Sequence, residues 1–182
     1  MLPTVSIVLV IVVVAFVVLV ASRPDDYSVV RTARIDAPPG VVFGLVNDFH
    51  AWESWSPWAK RDPHMKIVYD GPRAGVGADY RWSGDRKVGE GRMTLTESES
   101  PARLRIRLEF IKPFAGVNDV GFAFSPEAGM TRVTWTMAGK LNFATKAFGL
   151  FVSMDTMIGR DFEQGLAQLK SVAEAASAKA GI

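Results

Sequence analysis

The sequence predicts an α+β domain in which a curved antiparallel sheet wraps around a long C-terminal helix. Two changes of period carry that prediction. From Tyr27 to Met137 apolar and polar residues alternate in short runs separated by turn signals, whereas from Asn142 onward the apolar spacing becomes helical. The charges mark the domain's extent: no side chain from Met1 to Ser22 is charged, so all charged residues fall between 23 and 182, a length that buries a sizeable core.

Leu2 to Ala21 holds 17 apolar side chains in 20 positions, and 20 helical residues span about 30 Å, the thickness of a bilayer's hydrocarbon core. The expectation is a single transmembrane anchor over 1–22, making the chain a single-pass membrane protein with the domain at 23–182. A signal peptide is the competing reading, weakened by the length of the run, the lack of Lys or Arg before it and the poor cleavage site at Leu19-Val20-Ala21. Arg23, Arg31 and Arg34 follow the span, which tilts the expected placement of the domain toward the cytoplasm.

Tyr27 to Asp36 reads as a strand. Pro38-Pro39 then opens an apolar-periodic stretch from Val41 to Phe49, since proline suits a first helical turn whose amides lack partners anyway. After the aromatic segment Trp52 to Trp58 come Met65-Ile67-Tyr69, Tyr80-Trp82, Met93-Leu95, Leu104-Ile106-Leu108-Phe110, Val120-Phe122-Phe124 and Val133-Trp135-Met137, each with period two. Turn residues at Asp70-Gly71-Pro72, Ser83-Gly84-Asp85, Ser100-Pro101, Lys112-Pro113 and Ser125 to Gly129 join them as hairpins. Phe148, Phe151, Ile158, Phe162, Leu166, Leu169 and Ala173 share one helical arc, with fraying expected from Ala173 to Ile182.

Composition excludes several functions. With no Cys and only His50 and His64, neither a thiolate nucleophile nor a Cys- or multi-His metal centre is available, so no metal is expected. The net charge of +2 is interleaved, without the basic run that tracks phosphate backbones, which argues against nucleic acid. Neither Gly75-x-Gly77 nor Gly89-x-Gly91 completes a dinucleotide or phosphate loop, so no cofactor is expected. His50 and His64 read as surface residues, and no Ser stands in a nucleophile elbow.

Four words carry a resemblance: Ile35-Asp36-Ala37-Pro38-Pro39 with Val42-Phe43, Trp52-x-x-Trp55-Ser56-Pro57-Trp58, Gly89-Glu90-Gly91-Arg92-Met93, and Met154-Asp155-x-Met157-Ile158-Gly159-x-Asp161-Phe162. With the order strand, two short helices, about six strands and a long helix, they resemble the polyketide cyclase/dehydrase-like branch of the START-like SRPBCC superfamily over roughly Tyr27 to Lys170. The resemblance implies a helix-grip fold and an apolar cavity between sheet and C-terminal helix that holds a hydrophobic or lipid-like small molecule. It does not by itself imply catalysis.

Strand parity aims Tyr69, Tyr80, Trp82, Met93, Phe110, Phe122 and Trp135 at the helix, a lining rich in rings and Met that suits either an apolar ligand or a filled core. Trp52, Trp55 and Trp58 recur every third residue and form either a lid over the cavity mouth or a structural plug. Phe151, Asp155 and Ile158 lie on the helical arc. Asp155 is read as a desolvated anchor or general base working with Asn118, Tyr80 or Asn142, or else as the cap of a helix starting near Met154 after a break at Gly149 to Ser153. Phe114 is placed at the mouth. The ligand-binding set is therefore Trp55, Trp58, Tyr69, Tyr80, Trp82, Met93, Phe110, Asn118, Phe122, Trp135, Phe151, Asp155 and Ile158. The function expected is a membrane-anchored binding domain, with a cyclase- or dehydratase-type enzyme and a protein-interaction module as alternatives. Glu90, Arg92, Arg105, Arg107 and Glu109 take the opposite parity and are expected as a charge ladder on the convex face.

Overall fold

The computed structural model describes residues 2–59, 61–151 and 153–181, with side chains from Val5 onward. Its helices are α1 (Leu2–Ala21), α2 (Pro39–Asn47), α3 (Trp52–Trp55), α4 (Phe143–Phe148) and α5 (Met154–Ala180), with a 3₁₀ turn at Phe49–Ala51. The strands are β1 (Asp26–Ile35), β2 (Lys66–Asp70), β3 (Asp79–Ser83), β4 (Glu90–Glu99), β5 (Arg103–Lys112), β6 (Gly116–Glu127) and β7 (Met130–Lys140). They form one antiparallel sheet in the order β1-β7-β6-β5-β4-β3-β2. Every predicted strand is present. Hairpins link β2 through β7, and the α2–α3 segment carries the chain from one edge of the sheet to the other.

Burial follows the period-two reading. Leu104, Ile106, Leu108, Val120, Phe122, Phe124, Val133, Trp135 and Met137 are buried on the concave face. On the convex face Arg92 pairs in register with Glu109, Lys112 reaches Glu90 at 2.7 Å, and Arg105 reaches Glu97 at 3.3 Å. That is the expected cross-strand ladder.

Trp52 and Trp55 tie the short helices down. Their indole N–H groups donate to the carbonyls of Val46 at 2.8 Å and Leu45 at 3.0 Å, in the last turn of α2 where carbonyls lack helical partners. Both rings are buried, with Trp55 fully inside. The tryptophan segment is thus a plug within the core rather than a cover over a mouth.

The C-terminal helical stretch is interrupted. Asn142 caps α4 by accepting from the Thr145 amide, and the chain breaks after Gly149 before Ser153 caps α5 through the Thr156 amide at 3.1 Å. Phe151 falls in the break and is 81% exposed, so it leaves the apolar arc assigned to it. Along α5 the stripe Phe162, Leu166, Leu169 and Ala173 is buried against the sheet and α2, each of the larger side chains worth about 1.5–3 kcal/mol. The expected fraying from Ala173 does not occur: the helix continues to Ala180 with Ala173 and Ser177 buried, and ends at Gly181 in the left-handed region.

The N-terminal expectation is corrected. Among the described residues no helix is long and apolar enough to cross a membrane. The single-pass span over 2–21, with the membrane localisation and membrane partner drawn from it, is overturned by this. The helix itself is formed; its apolar side chains from Val5 to Leu19 are exposed, and Val20 is buried.

Candidate functional site

Strand register assembles a row of side chains at one end of the concave face. Trp82 faces Gly91, Gly91 faces Phe110, and Leu108, Asn118, Gly139 and Tyr27 follow across β5, β6, β7 and β1. The row lies where α4 and α5 begin and beside Phe114, which is 65% exposed in the β5–β6 connection.

Within this row one polar pair is built with care. Tyr27 Oη donates to Asn118 Oδ1 at 2.9 Å, reaching over β7 at Gly139. A Cβ on Gly139 would collide with Asn118 Oδ1 and come within 3.0 Å of Tyr27 Cε1, so the bond exists because that position has no side chain. Burial pushes the Tyr27 hydroxyl up to about 12, keeping it a neutral donor. Asn118 is buried, and its Nδ2 has no hydrogen-bond partner among the described residues. The pair therefore offers an amide donor in otherwise apolar surroundings.

Apolar side chains continue the same face on the strands beyond it. Tyr80, Met93 and Phe110 are half-buried, and Trp82 packs edge-on against Phe110 at 5.9 Å between ring centres. Tyr80 is likewise raised to about 12, by burial first and then by Tyr69 and Glu53. Tyr69, on the edge strand β2, is more open, packs against Tyr80 at 5.6 Å and stacks on His50 at 3.9 Å.

Further along the face the interior is filled. Trp135 stacks on Phe162 at 3.9 Å and on Phe122 at 4.8 Å, while Trp55 and Trp58 meet it edge-on at 5.7 and 5.9 Å. These rings occupy the space where the sequence reading placed the middle of a cavity. Trp135 Nε1 is nevertheless buried with no hydrogen-bond partner among the described residues. Among the described residues, cavities of about 270 and 280 Å³ lie elsewhere, one at the far end of β2 and β3 and another between β1 and the α4–α5 break, lined by Tyr27, Lys146 and Asp155 among others.

Asp155 stands apart from the place assigned to it. It is not desolvated: its side chain is 59% exposed and makes a two-pronged pair with Arg31, Nη1 to Oδ1 at 2.8 Å and Nη2 to Oδ2 at 3.0 Å. Glu163 takes Arg31 Nε at 2.7 Å, and the guanidinium lies on Gly159, where any Cβ would strike it. Asp155, Gly159 and Glu163, four residues apart on one face of α5, thus clamp Arg31 of β1. The Arg31 guanidinium holds the Asp155 carboxyl below the usual carboxylate range, which suits an ion pair and not a proton-accepting base. Among the described residues Asp155 makes its hydrogen bonds with Arg31 and none with Asn118, Tyr80 or Asn142, and the cap of α5 is Ser153. Ile158 is half-buried beside the core and Trp58 packs on Phe162 at 6.3 Å.

The depressed carboxyl sets a pH signature. Because its folded value lies below the ordinary aspartate value of about 3.9, the contribution of Asp155 is present above that ordinary value and lost as the pH falls through the folded one. Asp155→Asn is expected to lower the melting temperature at neutral pH, with the gap from the parent closing below about pH 4. A gap that is constant from neutral pH to pH 3 would remove the ion pair as its source.

Sequence reasoning missed Tyr27, Gly139, Arg31 and Glu163 as site-forming residues. Tyr27 shares the parity of Val29, the one available signal; the others emerge only from strand register and helix docking.

The comparisons with known proteins agree with this architecture. The sequence profile of the family described as polyketide cyclase / dehydrase and lipid transport matches residues 26–174. Among solved structures, protein TTHA0849 from Thermus thermophilus is similar at 22% identity and a TM-score of 0.60, over 83% of this chain and 99% of that one. The di-domain ARO/CYC BexL from the BE-7585A biosynthetic pathway is similar at 19% identity and a TM-score of 0.60, over 87% of this chain and 53% of that one, so this chain spans about half its length. Aha1 from Colwellia psychrerythraea, solved as a dimer, is similar at 14% identity and a TM-score of 0.56, over 81% and 96%. At these identities the likeness establishes the helix-grip fold alone. No match is found among curated proteins.

Proposed function

The chain belongs to the polyketide cyclase / dehydrase and lipid transport family, and from that premise we propose that its domain, residues 23–182, binds an apolar or lipid-like small molecule at the open end of the concave face. The observation that carries the reading is the Tyr27–Asn118 pair, a buried polar anchor held through the gap at Gly139, on the sheet face that further along carries Phe110, Met93, Tyr80 and Trp82. Sites of this kind are apolar with a few placed polar groups that fix orientation. A ligand acceptor atom such as a carbonyl would meet Asn118 Nδ2, while its apolar body would lie along Phe110 and Met93. From the sequence-derived set, Tyr80, Trp82, Met93, Phe110 and Asn118 are retained as lining. Trp55, Phe122 and Trp135 act as the packed wall behind them, and Asp155 fixes α5 to β1. The ionised, paired state of Asp155 favours binding over acid–base chemistry at that residue.

The test is native mass spectrometry of the full chain, followed by organic extraction and titration with a pyrene-labelled fatty acid. A stoichiometric apolar compound, or saturable uptake of the probe, is expected. Asn118→Leu removes one hydrogen bond of about 1 kcal/mol and is expected to weaken uptake about fivefold. An empty protein with no saturable uptake, or uptake unchanged in Asn118→Leu, would overturn the reading.

A further inference from the structure

A second set of chemically matched groups lies at the β2 edge of the sheet, away from β1. Asp70 and Asp79 pair at the far end of β2 and β3 from Trp82, and beside them opens the cleft of about 270 Å³. Phe49 and Ala78, both buried, supply its apolar floor; Tyr69, His50 and Arg73 border it. The cleft is held in shape by the pairing of Asp48 with Ala74, which stitches the 70–78 connection to the end of α2.

Asp48 organises the polar wall. Its Oδ2 accepts Arg73 Nε at 2.9 Å, and its Oδ1 accepts the His50 amide at 2.9 Å and lies 2.9 Å from His50 Nδ1. Burial raises the Asp48 carboxyl, but hydrogen bonds from Arg73 and His50 outweigh it and hold the group below the usual range. An ionised carboxylate only accepts hydrogen bonds, so His50 Nδ1 must carry the proton and, in the neutral ring, Nε2 is the bare acceptor. Nε2 has no hydrogen-bond partner among the described residues. The ring is fixed flat against Tyr69, 17° from parallel, and the side chain is 41% exposed.

We infer that the cleft between the 3₁₀ turn and β2–β3 is a second small-molecule site, taking an uncharged, single-ring hydroxyl compound whose O–H donates to His50 Nε2. Size and charge select this class. The volume lies below the usual range of drug-sized sites, about 300–1,000 Å³, so one ring and its substituents fill it. Asp70 and Asp79 in the lining, with Asp48 behind Arg73, disfavour an anionic ligand, and Arg73 in the lining, with the Arg81 and Arg92 partners of Asp79 behind it, disfavours a cation. The ring would rest on Phe49 and Ala78 beside the His50–Tyr69 stack, and Asp48 acts as the positioning residue that fixes the acceptor nitrogen.

Long-range ¹H–¹⁵N correlation spectra of the uniformly labelled full chain test this, because only His50 and His64 contribute imidazole signals. In its neutral form, the His50 ring is expected to show a protonated Nδ1 and a bare Nε2. Phenol or resorcinol is expected to move His50 Nε2 saturably while leaving His64 in place. Asp48→Asn, whose amide can donate to Nδ1, is expected to flip the tautomer and weaken phenol binding at least about fivefold. A parent protein with Nε2 protonated overturns the inference, as does a phenol shift that is unsaturable or shared equally by His64. Asn118→Leu should leave the phenol titration unchanged, so failure here and failure of the concave-face reading are separable.

Discussion

Truncating Trp135 to alanine is expected to cost about 3–5 kcal/mol, a large part of a typical domain's total stability of about 5–15 kcal/mol. Trp135 is 1% exposed and stacked between Phe122 and Phe162, with Trp55 and Trp58 against its edges. Removing it opens a void that four rings held in register cannot close. Chemical denaturation of the two proteins reads the difference directly; a loss under about 1 kcal/mol would mean that the core collapses around the site. Trp135→Phe separates packing from polarity. Its smaller ring loses contacts, but it also removes a buried indole N–H that has no partner among the described residues, whose desolvation costs about 1–3 kcal/mol. The phenylalanine variant should therefore recover most of the alanine loss.

The second large effect belongs to Gly139→Ala. Its new methyl must displace Asn118 Oδ1 and press on Tyr27, costing about 1–3 kcal/mol by overpacking and breaking the one hydrogen bond that aligns the proposed ligand anchor. Uptake of the pyrene-labelled fatty acid is expected to fall about tenfold, equivalent to about 1.4 kcal/mol. The double variant Gly139→Ala/Asn118→Ala removes the colliding oxygen and should regain stability without regaining affinity. If Gly139→Ala binds and melts like the parent, the Tyr27–Asn118 bond does not organise the site.

Much of the fold was legible because strand and helix periods are local. The alternation in Leu104-Ile106-Leu108 and Val133-Trp135-Met137 states which side chains face inward without knowledge of any neighbour, and all six are buried. The same locality misplaced Asp155. Its phase on the helix was right, sharing an arc with Phe162, but phase says which way a side chain points and not whether anything covers that direction at that height. In its first turns α5 meets β1, and the partner waiting there is Arg31, 124 residues earlier. The break at Gly149 to Ser153 likewise released Phe151 from the arc.

The family words, the seven strands, the apolar parity of the concave face and the absence of thiol or multi-histidine chemistry were determined by the sequence alone, because each depends on residue type and short spacing. Tertiary structure decided the rest: that aromatic rings fill the centre of the expected cavity, that Tyr27 reaches Asn118 over Gly139, and that Asp48 sets the tautomer of a stacked His50. Those outcomes depend on which strands lie side by side and on gaps of one methyl group, and close packing fixes both only once the whole chain has folded.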